Sequence, residues 1–216
     1  MAPRRPISAA IAEQSVRERI LHAALDAFME RGYEGASTLE IATRAKLSKR
    51  ELYALFDNKH AILNALVAMR AQRMRVALEK PAVLDRAGLA KVLTAFGAAV
   101  LREACDPAVV AFFRFAIAQA GRSDQVARVL DTFGRKANHA ALADLLAEAQ
   151  ARGLVGAGDA RAMAARFFAL LWGGLLLQLL LRVTDFPDPR EIERRARDAT
   201  AGLLELHPPR NSRHPS

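Results

Sequence analysis

The sequence predicts an all-α protein, and three observations carry that reading. Apolar residues recur near a period of 3.6 almost throughout, glycine and proline fall mainly between the periodic segments, and no run of β-branched residues alternates as a strand should. With 216 residues and a hydrophobic fraction of 52%, the chain can fill a buried core in one large or two small domains.

In chain order, residues 1–12 come first. They carry Arg4 and Arg5 but no long apolar segment, so they are expected to form a flexible basic arm rather than a secretory signal. The next informative stretch is 37–59, which places two short capped helices about a three-residue turn. Ser37 offers a side-chain oxygen to the first helix, with Glu40 three residues later as the reciprocal partner of a capping box. Ser48 and Glu51 repeat the device for the second.

Leu39, Ile41, Ala42 and Ala45 supply the expected buried side of the first helix, and Leu52, Leu55 and Phe56 that of the second. At about 100° per residue, Lys49, Arg50, Tyr53 and Ala54 collect on the opposite arc of the second helix. A helix that lies in the major groove needs such a face, because small residues permit approach while cations and hydroxyls reach phosphates and base edges. Arg50 is the best candidate for reading a base, since a guanidinium donates two hydrogen bonds to the guanine edge. Lys49 and Tyr53 suit the backbone. Ser37, with the amides it leaves free, and Lys59 are candidate phosphate contacts at helix starts. Thr38, Arg44, Lys46 and Ser48 complete the expected DNA-binding set, and the arm could add Arg4 and Arg5 in the minor groove.

The runs Ile41-Ala42-Thr43-Arg44-Ala45-Lys46-Leu47-Ser48 and Leu52-Tyr53-Ala54-Leu55-Phe56-Asp57-Asn58-Lys59 resemble the N-terminal domain of the TetR family of transcriptional regulators. Ile20 to Phe28 and the Arg31-Gly32-Tyr33 corner are similar to that family's first helix and its end. The resemblance is strong over about residues 14–63 and holds only in outline beyond. It implies a homodimer, a double-stranded DNA operator and a small-molecule effector. Two positions depart from the family pattern. Lys46 stands where the turn usually has glycine, so a left-handed non-glycine residue is expected at a cost of roughly 1 kcal/mol. Arg50 and Glu51 replace the more usual small residues at the start of the recognition helix.

The net charge of +9 is spread along the chain, with 10 basic against 8 acidic residues over 1–60, so charge supports a polyanionic partner less than the motif does. The single cysteine, Cys105, excludes a disulfide framework. It fits a reducing, cytoplasmic setting and reads as a small packing residue.

Beyond the motif, 59–80 reads as one helix stopped by Pro81, a mechanical link with Ala61, Ile62, Ala65, Leu66 and Met69 on its apolar side. Further helices are expected at about 85–104, 107–119, 123–152, 159–184 and 188–206, and the Pro-rich tail 207–216 as disordered. The domains are therefore 13–60 for DNA and 61–206 for ligand binding and dimerisation. Aromatic volume concentrates in the larger unit. Phe96, Phe112, Phe115, Phe133, Phe168 and Trp172 are candidate cavity residues, together with Arg114, whose guanidinium needs an internal carboxylate or an anionic ligand if it is buried.

Residues 167–181 carry Gln178 as their only strongly polar side chain. That run is short of the ~18–20 apolar residues of a membrane span, so a helix covered on two sides is expected, with no membrane partner. A glycine pair in a helix interior costs roughly 1–2 kcal/mol, which makes sense if two backbones approach there. Leu170, Gly173, Gly174, Leu177 and Leu181, with Ile192, Ala196, Ala199 and Leu203 of the last helix, are thus the expected four-helix dimer seam.

Nothing in the sequence looks catalytic, and no metal or cofactor is expected. His22, His60, His139, His207 and His214 are scattered without metal-ligand spacing, and no glycine-rich loop follows a strand. The sequence reads as a dimeric, sequence-specific DNA-binding regulator, a repressor released from a palindromic operator by a small apolar ligand. The alternative is a DNA-binding dimer whose second unit takes no small ligand and serves only dimerisation or protein contact. An enclosed cavity with a few polar groups favours the first reading, and a filled core the second.

Overall fold

Aspartate and asparagine open most of the helices. The side chains of Asn58, Asp85, Asp106, Asp159 and Asp188 each accept a hydrogen bond from a first-turn amide, and Pro107 and Pro189 occupy first-turn positions that need no donor. The computed structural model describes residues 7–79, 85–121 and 124–209, with side chains from residue 13 onward. Arg4, Arg5, Pro81 and the tail from 210 lie outside the described residues.

The order is α1 (Ile7–Gly35), α2 (Thr38–Arg44), α3 (Lys49–Leu55), α4 (Lys59–Arg75) with a 3₁₀ turn (Val76–Leu78), α5 (Arg86–Ala104) and α6 (Pro107–Gln119). Then α7 (Gln125–Val129) runs through a π-helical stretch (Leu130–Lys136) into α8 (Ala137–Ala151), followed by α9 (Ala160–Trp172), α10 (Leu175–Leu181) and α11 (Pro189–Leu206). No strand occurs among the described residues. The α-helix expected to reach Lys80 ends at Arg75.

Two hydrophobic clusters build the interior. One joins α1 to α4 through Phe28, Ile41, Leu52 and Leu63 and draws in Phe112 and Ala116 of α6. The other packs α5, α8, α9 and α11 around Phe96, Leu142, Phe167 and Leu203. Phe96 meets Phe168 edge-on at 5.9 Å and is itself fully buried. Cys105 lies in this second cluster, where burial pushes its thiol up to about 11, so it packs rather than reacts.

Three packing expectations are corrected. The helix expected over 159–184 is two helices, bent by 49° where Gly173 and Gly174 adopt φ of 45° and 90°. Left-handed residues cannot continue a right-handed helix, so the pair is a corner, not part of a helix interior. No single helix among the described residues is long and apolar enough to cross a membrane.

The second correction concerns Ile192, Ala196, Ala199 and Leu203. All four are buried in the chain's own core, because their stripe on α11 faces α5. Gly97 permits that approach, since a Cβ there would meet the Cβ of Ala196 at 3.3 Å. By contrast Leu170, Gly173, Gly174, Leu177 and Leu181 are exposed, as are Val183 and Phe186. Third, Leu39 lies outside the core at 59% exposure. On α2 it sits about 160° from Ile41 and about 120° from Ala45, outside the arc centred on those two residues.

Candidate nucleic-acid interface and cavity

The recognition helix is set by its cap. Ser48 Oγ accepts from the Glu51 amide at 3.2 Å, while Glu51 accepts from the Ser48 amide at 2.8 Å and from its hydroxyl at 2.7 Å. The backbone bond from Ser48, then the hydroxyl, hold the Glu51 carboxyl below its ordinary value. Lys46 has φ 57°, the expected left-handed conformation, and it turns the chain from α2 into α3. At α2 the cap is one-sided. Ser37 Oγ accepts from the Glu40 amide at 3.1 Å, but the Glu40 carboxylate points to arginines instead of back to the Ser37 amide.

Those arginines define which cations stay free. Arg44 donates to Glu30 at 2.9 and 2.6 Å and to Glu40 at 2.6 Å, while Arg31 donates to Glu40 at 2.8 Å. Its hydrogen bonds to the Glu30 and Glu40 carboxylates raise the Arg44 pKa. Desolvation pushes the Glu40 pKa up, but the bonds from Arg44 and Arg31 outweigh it and the net direction is down. The Arg44 side chain thus joins α2 to α1 and is committed within the chain. Lys59 is committed too. Its Nζ donates to the carbonyls of Tyr33, Glu34 and Ala36 at 2.6, 3.3 and 3.2 Å, and it lies 4.5 Å from the Tyr33 ring centroid. It serves as a side-chain cap on the end of α1.

What remains outward is compact. Lys46, Ser48, Lys49, Arg50 and Tyr53 are exposed, as is Ser37, while Thr38 is half-buried with its hydroxyl 3.1 Å from the Tyr53 hydroxyl. Lys49 Nζ is 5.7 Å from the Tyr53 ring centroid. Lys46 and Arg50 have no hydrogen-bond or ion-pair partner among the described residues. The back of α3 is fixed by Arg17, which donates to the Leu55 carbonyl at 3.1 Å and covers Phe56 at 4.4 Å.

A cavity of about 590 Å³ lies where the two clusters meet. α4 contributes Leu66, Val67, Arg70, Ala71 and Met74 to its wall, α6 contributes Phe112 and Phe113, and α9 contributes Phe168 and Trp172. Leu130, Asp131, Gly134 and Arg135 of the π-helical stretch line it with Asn138 and His139. His139 stacks on Phe168 at 4.1 Å and 15°. Desolvation, then the neighbouring Arg135, lower its pKa, so the imidazole is neutral near pH 7.

Of the aromatic candidates, Phe112, Phe168 and Trp172 line this cavity and the others do not. Phe96 is core, and Phe133 is exposed on the outer side of the π-helical stretch. Phe115 stacks on Phe112 and packs against Gly32. Arg114 donates to the carbonyls of Leu180, at 3.0 Å, and Leu179. Its partner is therefore the C-terminus of α10, where the free carbonyls welcome a cation, and not a carboxylate or a ligand. Sequence reasoning missed Arg70, Asn138 and His139. Asn138 carried a signal, being a lone amide in the stripe of Leu142, Leu145, Leu146 and Ala149 that α8 buries.

Two family models match. One, described as bacterial regulatory proteins of the tetR family, covers residues 20–66. The other, described as the C-terminal domain of an AefR-like transcriptional repressor, covers 91–206, more than half of the chain. The chain belongs to the TetR family. No curated protein matches this TetR-family chain, but solved structures do. FrrA, a flavonoid-responsive regulator, is 28% identical with a TM-score of 0.68, over 91% of this chain and 99% of its own. Salmonella enterica GusR is 28% identical with a TM-score of 0.61, over 89% and 95%. A TetR transcriptional regulator from Agrobacterium tumefaciens, 24% identical with a TM-score of 0.73 over 90% and 95%, is alike in fold.

Proposed function

We propose that this TetR-family regulator is a dimeric repressor that binds a palindromic operator and leaves it when a small, largely apolar ligand fills the cavity. The observation that carries the reading is the cavity's place on α4. One end of that helix is tied through Lys59 to the end of α1 beside the recognition unit, and its middle turns form the cavity wall. A molecule that props α4 would alter the separation of two recognition helices, which must meet successive major-groove faces about 34–36 Å apart. Tenfold preference for the DNA-free arrangement needs only ~1.4 kcal/mol.

Ser48, Lys49, Arg50 and Tyr53 are the proposed groove contacts, with Ser37, Thr38 and Lys46 beside them. Arg44 and Lys59 are proposed to support this surface from behind. The second copy would seat on the exposed face of Leu170, Gly173, Gly174, Leu177 and Leu181. The rival, a dimer without a small ligand, calls for a filled core and not for an apolar cavity of this size. The match to a repressor's C-terminal domain favours repression.

Fluorescence anisotropy of the protein with DNA from upstream of its own gene, against scrambled DNA in a salt series, tests the reading. Preference for the upstream sequence that weakens steeply with salt supports a specific regulator. Equal binding to both, after a random-sequence selection also fails to enrich a palindrome, overturns it.

A further inference from the structure

Asn138 is the least expected residue in the cavity wall, because it is 4% exposed and sits among leucines. Its Nδ2 donates to the Gly134 carbonyl at 3.0 Å and contacts Met74 Sδ at 3.1 Å. Those bonds fix the amide's orientation, since Nδ2 is the donor and only Oδ1 is left to accept. Oδ1 is buried and has no partner. An unpaired buried carbonyl oxygen costs about 1–3 kcal/mol, which a ligand group that donates a hydrogen bond would recover.

The rest of the wall says what kind of molecule carries that donor. Phe112, Phe113, Phe168 and Trp172 present aromatic surface, and His139 lies parallel to Phe168, so the broad walls suit a flat ring system. The cations on the wall are already paired with carboxylates. Arg70 donates to Glu103 at 3.2 Å and has Asp106 at 3.9 Å, and Arg135 is paired with Asp131 at 2.6 Å. The imidazole of His139 is neutral near pH 7. An anionic ligand would therefore meet a carbonyl oxygen and no unpaired cation. The Nε–H of Arg70 is also buried without an acceptor, but Glu103 and Asp106 already balance that guanidinium's charge, so it calls for a neutral oxygen elsewhere on the same molecule.

Resting on the reading of the cavity as an effector site, we infer that its ligand is a neutral, planar aromatic molecule bearing a hydroxyl that donates to Asn138 Oδ1, as a phenol does. A carboxylate or a purely hydrocarbon ligand of the same shape lacks the matching group.

Three probes of one shape test this: 4-phenylphenol, 4-methoxybiphenyl and biphenyl-4-carboxylate. Trp172 is the chain's only tryptophan and lines the cavity, so its emission reports occupancy directly. The phenol should bind at least tenfold more tightly than the ether and the carboxylate. In Asn138→Leu, the phenol should fall to the affinity of the ether while the ether holds its own. If phenol and ether bind the full-length protein equally, the donor inference fails and the cavity reading stands. Tighter binding of the carboxylate also overturns the inference, in favour of an anion site. Binding of none of the three overturns both. The comparison within the unaltered protein decides the matter even if Asn138→Leu does not fold.

Discussion

Gly32 of the DNA-binding unit lies against Phe115 of α6, so closely that a Cβ on the glycine would stand 2.7 Å from Cε2 of the phenylalanine. Gly32 also has φ 73° and ψ 167°, a backbone conformation essentially reserved for glycine. This is where α1 bends beneath the cavity: Phe115 stacks on Phe112, and Phe112 lines the wall. The recognition unit thus reaches the cavity here, through Leu25 of α1 and along α4.

Gly32→Ala should therefore destabilise the fold by about 2–4 kcal/mol, combining a strained backbone with an overpacked contact. Urea denaturation measures it. In a Phe115→Ala background the steric part should vanish and the backbone part remain, so the double-mutant cycle should show clear coupling. Additive losses would mean that Phe115 moves aside freely.

Arg50 and Arg44 separate reading from support. Arg50→Ala should leave thermal stability unchanged and weaken operator binding by about 1–3 kcal/mol, chiefly at one base pair. Lys49→Ala should weaken all sequences alike and lower the salt slope by about 1. Arg44→Ala should lower the melting temperature, because it releases the bonds to Glu30 and Glu40. Melting curves and anisotropy on the same three proteins check this. A stable Arg44→Ala with a reduced salt slope would make Arg44 a phosphate contact.

Lys59→Met keeps the aliphatic stem over the Tyr33 ring but removes the donors to three carbonyls. Bonds from a charged donor contribute about 1.5–3 kcal/mol, so a loss of that order is expected. The corner at Gly32 to Gly35 should exchange its amide hydrogens faster. Unchanged protection there would mean that water replaces the ammonium.

The same region contributes to the acid side of the stability curve, beside Asp124, Asp131 and Glu191, which are also held low. Glu30, Glu40 and Glu51 are all held below their ordinary value of 4.5. Between that value and their folded values the unfolded chain binds more protons, so stability rises with pH in this window. It is complete above about pH 4.5 and is lost as pH falls through the folded values. Replacing Glu30 and Glu40 with glutamine should flatten this slope in denaturation curves taken across the window, and an unchanged slope would place the titration elsewhere.

Local chemistry was legible in the sequence and long-range commitment was not. The Ser48–Glu51 cap and the left-handed Lys46 depend on neighbours three residues away or fewer, and both are found as expected. Ser37 and Glu40 carry the same local signal, yet Glu40 turns to arginines on α1 and α2. Lys59 and Arg114 are set by carbonyls 23 to 26 and 65 to 66 residues away, a separation that no spacing rule reaches. The aromatic count found the cavity's half of the chain. Which rings face it depends on how α6 packs on α1 and α10 and how α9 packs on α8 and α11, and Phe96 and Phe115 went to the cores on either side.

The exposed face of α9 and α10 carries the last prediction. Leu177 and Leu181 are 61% and 62% exposed, one turn apart, on a short helix that buries only Leu175 and Leu179. Leucines at such exposure, close in the chain to the exposed Leu170, Val183 and Phe186, supply the kind of apolar surface that marks an interface. A second copy would cover it through a two-fold axis, burying the same patch from both sides. Leu177→Glu with Leu181→Glu would place two charges per protomer in that seam, each costing several kcal/mol when desolvated without a partner. Sedimentation at micromolar concentration should then find a 23.6 kDa species for the variant and twice that mass for the unaltered chain. DNA binding should fall with dimerisation, since one recognition helix makes only half of the contacts. A variant that still sediments as a dimer would move the seam away from α10 and onto the outward side of α11 alone.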